Sequence, residues 1–519
     1  MSVLLVFVLT LNIYIGNISK LMDKTSLKIV LINMRTSYIM SIPFGITYLG
    51  AVLRENNHEI RLFDVYPDDN IYEIAEGLER SFQPDLVGFS VMTTNFYKAK
   101  DFASLLKKKF PDAKFCAGGI HPTVRPKETI EKMSLDFVVI GEGEKVLTKI
   151  CNDFKNNQIL HNIKGVAFKE GDKFYINEGL DIVEDLDTLP FPARELLPVS
   201  RYLVPPGYIR SHFLNRVLSV YTSRGCPARC TFCNSSSIFN RSVRRRSFGN
   251  VIKEIKYLVD RYNIDGLYFH DETFTLKPEW VRNICRELKP LGLRWGCQTR
   301  VNLVNDELLE IMKDSGCLQI DFGIESASGR VLKSIKKAQT PEQIKKALDL
   351  TKKYGIKSFA SFMVGLHGET EEDLIENINF LKKTKPDFTY FNLFTPFPGT
   401  EAAEIAIKEG KLSEDYFSRD YDMLLETKPL VNLSAMSTET VIRYHAKLRN
   451  MVFLKNYLGV LTINNMKVII EAVIVFLLSP YVMFKSVLEL MKTRNIEKFV
   501  FSLFSNYQRW QAKRRNVGI

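Results

Sequence analysis

The chain has 519 residues, a formal net charge of +12, and a globular balance of 45% hydrophobic and 25% charged residues. That length exceeds one ordinary hydrophobic core, so two domains plus an appendage are expected. The positive charge comes with no recognition-helix or RNA-binding signature, which argues against a nucleic-acid partner and leaves a distributed basic surface or an anionic membrane to explain it.

The chain opens on an apolar run, M-S-V-L-L-V-F-V-L-T-L-N-I-Y-I, which has neither a basic n-region nor a small-residue cleavage site. This argues against a signal peptide, and the run is short for a membrane span. Met22 stands just before the first good strand, so residues 1–26 are expected to be an extension from an upstream start codon. From Lys28 to about Ile150, the apolar runs K-I-V-L-I-N, E-I-R-L-F-D, L-V-G-F-S, K-F-C-A-G-G and F-V-V-I-G-E-G-E alternate with amphipathic stretches. Such alternation predicts a doubly wound parallel α/β sheet over residues 27–160, with ligands at the carboxyl ends of its strands.

Residues 161–214, punctuated by L-P-F-P-A-R and V-P-P-G, are expected to be a linker. Six further strand-like runs then begin with V-L-S-V-Y-T and end with D-F-T-Y-F-N-L-F, separated by helical patterns such as N-V-I-K-E-I-K-Y-L-V-D-R-Y. They predict a partial (β/α)6 barrel of the TIM type over residues 215–415, with chemistry where the strands end. Beyond that, residues 416–519 read as a helical extension. The apolar run Val468 to Phe484 contains Glu471 and Pro480, and both a buried or interfacial helix and a membrane span fit it.

Of the eight cysteines, only Cys226, Cys230 and Cys233 are clustered. A disulfide framework is therefore not expected, and a reducing cytoplasmic compartment is. The three lie in S-R-G-C-P-A-R-C-T-F-C, directly after the first barrel strand. Three thiolates hold three irons of a [4Fe–4S] cubane and leave the fourth open. Zinc would want a fourth ligand, and no second C-x2-C or His pair is near.

This C-x3-C-x-aromatic-C loop, with Phe232 before the last cysteine, resembles that of the radical S-adenosylmethionine superfamily over about residues 215 to 400. The resemblance implies that the open iron is chelated by the amino and carboxylate groups of S-adenosylmethionine, whose reductive cleavage gives a 5′-deoxyadenosyl radical. It also implies an external electron donor of the flavodoxin or ferredoxin type. In F-H-D-E-T-F-T, Asp271 and Glu272 match the family's acidic segment that meets the methionine ammonium, with helix capping as the alternative. In D-F-G-I-E-S, Glu325 and Ser326 match its polar contacts to ribose and methionine. Arg300 fits either the methionine carboxylate or a structural ion pair. The run R-S-V-R-R-R, Arg241 to Arg246, is expected to be a solvated or cofactor-edge loop.

In the first domain, P-F-G-I-T-Y-L-G-A-V-L-R-E-N-N-H-E-I, G-F-S-V-M-T-T, A-G-G-I-H-P-T and V-V-I-G-E-G-E occur in an order that resembles the cobalamin-binding domain fused to many such enzymes. The resemblance implies a flavodoxin-like sheet that receives the cobalamin nucleotide tail, with Ser90, Thr93, Gly118, Gly119 and Gly141 as contacts. The D-x-H-x-x-G signature of histidine-ligated cobalt is missing, and His121 is expected to structure its loop. A dinucleotide fold would want G-x-G-x-x-G after the first strand, which is also missing.

The expected function is cobalamin-dependent methylation of an unactivated carbon in a small-molecule or lipid-like substrate. Alternatives are an oxidative cyclase of the anaerobic magnesium-protoporphyrin ester type and a non-catalytic, membrane-associated cobalamin or redox sensor. Peripheral membrane contact through the C-terminal region is a separate expectation, and no residue is assigned to the chemical step itself.

Overall fold

K-I-V-L-I-N-M forms strand β1 (Lys28–Met34), buried everywhere except at Lys28 and Asn33. A strand buried on both faces needs helices above and below it, and the amphipathic stretches between strands supply them. The computed structural model describes residues 26–36, 41–67, 69–156, 159–204, 208–413, 429, 431–493 and 496–516. The apolar start of the chain, and the V-P-P-G punctuation from Pro205 to Gly207, lie outside the described residues.

Strands β2 (Glu59–Val65), β3 (Leu86–Ser90), β4 (Lys114–Gly118) and β5 (Phe137–Val139) join β1 in parallel, in the order β2-β1-β3-β4-β5. This is the flavodoxin-like order. The sheet then continues where a linker was expected. β6 (Val166–Glu170) and β7 (Lys173–Ile176) add an antiparallel hairpin beyond β5 and make the sheet seven-stranded. Gly171, at φ +56°, turns the hairpin, and Phe168 stacks on Tyr175 across it at 5.0 Å. The compact unit built on this sheet runs to Val183 and omits residues 35–43 and 92–97, which cluster with residues 184–519 in a second unit.

In the second unit, β8 (Val217–Val220) is followed by a two-residue pair, β9 (Ser223–Arg224) and β10 (Arg244–Arg245), that closes antiparallel around the cysteine loop. Strands β11 (Gly266–Phe269), β12 (Arg294–Thr299), β13 (Cys317–Glu325), β14 (Lys357–Val364) and β15 (Phe388–Leu393) then pair in parallel in chain order, with β8 and β15 at the edges. This is the expected open six-stranded barrel. Its helices start where capping residues allow. Ser247 accepts from the Asn250 amide to open Phe248–Tyr262, and Thr340 with Gln343 forms a capping box before Pro341–Lys353.

The extension is helical: Thr438–Val460, Ile463–Leu478, Pro480–Thr493 and Ile496–Asn516. Pro480 ends the apolar run and opens the next helix, where its missing N–H costs nothing. Val468, Ala472, Val475, Val482 and Tyr507 pack together with Phe213. Among the described residues, no single helix is long and apolar enough to cross a membrane, although Thr438–Val460 and Asn465–Leu478, bent by 106°, pass that test together.

The loop after β14 is held by a buried acid. Glu369 accepts from the Gly365 amide at 2.7 Å and the Leu366 amide at 3.3 Å, while its second oxygen has no partner. Burial outweighs those bonds and pushes the carboxyl from 4.5 up to about 8. The folded chain therefore keeps a proton that the unfolded chain releases above 4.5. Its stability should fall as pH rises from 4.5 to about 8, by up to about 1.4 kcal/mol per pH unit. Denaturant midpoints across that window should show the slope, and Glu369→Gln should flatten it. An unchanged slope in the variant would exclude Glu369 as its source.

Candidate active site

The cysteine loop can exist only with glycine at its start. Gly225 has φ +92°, and an added Cβ would overlap the Ser242 carbonyl oxygen. Distant segments then fix its course. The Thr231 amide donates to the Ile335 carbonyl at 3.1 Å, the Ala402 amide to the Thr231 carbonyl at 2.9 Å, and the Asn234 side chain to the Pro398 carbonyl at 2.9 Å. The P-F-P-G-T segment thus holds the cysteine loop from the far edge of the barrel.

Cys226, Cys230 and Cys233, with Phe232, line a cavity of about 720 Å³. Burial pushes the thiol of Cys226 up, so loading a metal cluster would displace a proton there. Among the described residues, no three His, Cys, Asp or Glu side chains converge on one metal-ion point. A cubane does not require that convergence, because each thiolate takes a different iron corner. Three thiols on one loop around one cavity fit such a cluster.

Glu272 lines the same cavity, and one of its carboxylate oxygens is buried without a partner. Burial, and then the neighbouring Asp271, raise its carboxyl to about 7, against hydrogen bonds from its own amide and that of Gly225. An incoming ammonium would complete this group as a charge-assisted pair.

Asp271 does not line the cavity. It is fully buried, accepting from the Thr222 amide at 2.7 Å, the Thr222 hydroxyl and the Ser223 hydroxyl at 2.5 Å, with Arg245 at 3.4 Å. It ties the end of β8, the β9–β10 pair and the end of β11 together, and Glu272 alone of the two acids faces the cavity. This also corrects the expectation of a solvated arginine run. Arg244, Arg245 and Arg246 are buried, and acceptors await the last two. Arg245 has Asp271 and stacks on Trp280, while Arg246 pairs with Glu254, which Arg194 also engages at 2.6 Å. Arg241 does reach the cavity.

Glu325 has φ +68°, rare for a side-chain-bearing residue, and its carboxylate is 2.7 Å from the ammonium of Lys337. Lys337 lines the cavity and lies 5.5 Å from the Phe232 ring centroid. Nothing in the spacing of I-K-K-A-Q marks it; only the strand-end position of its partner Glu325 gave a hint. Ser326 is fully buried, with its hydroxyl engaged by Asn377 and the Ser328 amide, and does not line the cavity. Arg300 does line it, donating to Cys230 Sγ at 3.7 Å and to the Lys337 carbonyl. Its guanidinium therefore both braces the loop and faces the cavity.

In the first unit, Ser90 and Gly118 end β3 and β4, and Gly119 (φ +104°) and Gly141 (φ +82°) follow β4 and β5. None carries a side chain larger than a hydroxymethyl group, so the strand ends present backbone that a bulky cofactor tail can approach, and these residues fit one. Thr93 is buried, opens a short 3₁₀ turn and clusters with the second unit. His121 stands in the short helix Ile120–Val124 rather than in a loop; it is fully buried, and burial followed by Arg125 and Lys132 lowers its ring to about 3, so it stays neutral.

Comparison with known proteins agrees with this arrangement. Residues 220–381 match the model of the radical SAM superfamily, and residues 30–150 that of the B12 binding domain. An uncharacterized methyltransferase of Pyrococcus horikoshii is 32% identical over 422 residues, covering 80% of this chain and 88% of the relative. An anaerobic magnesium-protoporphyrin IX monomethyl ester cyclase of Rubrivivax gelatinosus is 30% identical over 366 residues, 69% of this chain and 64% of the relative. Among solved structures, the fold matches the radical S-adenosylmethionine methyltransferase TsrM of Kitasatospora setae with cobalamin and a [4Fe–4S] cluster bound, at TM-score 0.62 and 18% identity, covering 75% of this chain and 79% of that one. The chain therefore belongs to the radical S-adenosylmethionine enzymes that carry a B12-binding domain, and its cofactors are a [4Fe–4S] cluster, S-adenosylmethionine and cobalamin.

Proposed function

We propose that this enzyme methylates an unactivated carbon of a small-molecule or lipid-like substrate, working in the cytoplasm with an external flavodoxin- or ferredoxin-type electron donor and touching membrane peripherally through its C-terminal helices. The observation that carries the reading is the single cavity lined by the three cysteines and by Glu272 with its unpartnered oxygen. When bound, the cofactors supply one-electron cleavage of a sulfonium and a transferable methyl group. Cys226, Cys230 and Cys233 ligate the cluster, and Phe232 and Lys337 flank it. Glu272 accepts the methionine ammonium, and Arg300 orients the methionine carboxylate. Glu325 and Asp271 act one step back: Glu325 holds Lys337, and Asp271 holds the strand end from which Glu272 projects. Ser90, Gly118, Gly119 and Gly141 receive the cobalamin tail.

The 30% identity with the Rubrivivax cyclase supports a second reading, radical oxidative cyclisation. Product analysis with methyl-labelled S-adenosylmethionine separates the two: label carried into a new carbon–carbon bond is expected, and an unlabelled cyclised product would establish the cyclase instead.

Anaerobically reconstituted protein with a strong reductant should form 5′-deoxyadenosine and show a corrinoid spectrum with hydroxocobalamin. Cys→Ala at position 226, 230 or 233 should abolish the product and lower cluster content; full iron and activity in all three variants would refute the ligand assignment. Glu272→Gln should raise the KM for S-adenosylmethionine by roughly tenfold to a hundredfold, from loss of a charge-assisted bond of about 1.5–3 kcal/mol. An unaltered KM would remove Glu272 from the binding set.

Asp271→Ala strands a buried arginine and three donors, so unfolding free energy should drop by about 3–5 kcal/mol, with reduced cluster retention. A change under about 1 kcal/mol in anaerobic denaturant titration would show that the network is dispensable.

A further inference from the structure

We propose that the C-terminal helices lie in the plane of an anionic lipid surface, inserted by one face, without crossing the bilayer. This deepens the peripheral contact in the reading above and is independent of the radical chemistry.

The three helices from Thr438 to Thr493 have two apolar sides where a globular helix has one. The inner side is spoken for: Val468, Ala472, Val475 and Val482 pack with Phe213 and Tyr507. Yet Leu454 and Leu458 on the first helix, Ile470 and Leu477 on the second, and Phe484 and Met491 on the third are exposed, all six by more than half. Among the described residues, fifteen large hydrophobic side chains from Leu454 to Met491 are exposed in this way. Scattered single apolar residues need no explanation; a run of this density on consecutive helices marks a surface that is covered in use.

Charge identifies the cover. Glu471, the only acid in Ile463–Leu478, is turned inward, where its carboxylate accepts from the Tyr507 hydroxyl at 2.8 Å. Among the described side chains of the second and third helices, Lys467 and Lys485 are exposed basic residues. Their flexible stems lie along apolar surface while their ammonium groups reach phosphate headgroups. A second copy of the chain would set these same lysines toward one another, whereas anionic lipid neutralises them. Among the described residues no single helix passes the length and hydropathy test for a span, and the pair that passes it together is bent by 106°, a corner rather than a straight span. In-plane burial of one apolar face beside cationic side chains is the arrangement of interfacial helices.

The test is flotation of the full-length holoenzyme, under anaerobic conditions, with vesicles of phosphatidylcholine alone or mixed with phosphatidylglycerol. The wild type should float with the mixed vesicles and much less with phosphatidylcholine. A triple variant, Ile470→Glu, Leu477→Glu and Phe484→Glu, should float roughly tenfold less. These side chains point away from the packed core, and unchanged cluster absorbance and 5′-deoxyadenosine formation in the variant would show that folding and chemistry are intact. Lys467→Glu with Lys485→Glu should lose the preference for phosphatidylglycerol while keeping the fold. The inference is overturned if the wild type stays with the protein-only control, if the triple variant floats as well as the wild type, or if sedimentation shows a wild-type dimer that the triple variant dissolves. The 5′-deoxyadenosine readout keeps a failure of docking separate from a failure of the proposed chemistry.

Discussion

The site depends on one buried carboxylate that does not itself line the cavity. Asp271 gathers two hydroxyls, an amide and a guanidinium at the point where β8, the β9–β10 pair and β11 meet. The cysteine loop leaves from β9, returns through β10, and shares its cavity with Glu272, just past the end of β11. An unpaired carboxylate buried there would be costly, and so would Arg245 without it. The two together oblige the three segments to assume one arrangement. Pre-organisation of this kind is what a radical enzyme asks of its protein part: fixed cofactor placement and a shielded cavity, with the bond-breaking done by the cofactors.

The same geometry explains why neighbouring acids with similar sequence credentials have different positions. In F-H-D-E, the turn that follows β11 puts Asp271 inside the protein and Glu272 on the cavity. The sequence shows two carboxylates at a strand terminus; which one is available depends on the fold's donors, Thr222, Ser223 and Arg245, lying on one side only. Glu325 is a parallel case. It reaches Lys337 from a left-handed backbone conformation, so the cavity receives a lysine that no motif announces.

Much of the architecture was legible because it rests on local pattern. Buried parallel strands read as apolar runs, the cysteine spacing is a property of one loop, and Pro480 ends a helix wherever it stands. What escaped the sequence depended on pairing across distance. The β6–β7 hairpin sits in a stretch whose prolines and polar residues resemble a linker, and its strand character comes from docking antiparallel on β5. Arg245 and Arg246 look solvated within a run of charges, yet their acceptors, Asp271 and Glu254, are supplied by other elements.

Glu471 extends this lesson to the C-terminal helices. In the sequence it interrupts an apolar run and leaves a buried helix, an interfacial helix and a membrane span all open. In the structure its carboxylate is tied to Tyr507, 36 residues later, so the interruption faces the protein and the outer side is left apolar with lysines. A single long-range hydrogen bond thereby reverses what the residue says about the helix surface. An acid satisfied internally contributes no charge to the exposed face, and the surface chemistry of such a helix has to be read from the side chains that remain on it.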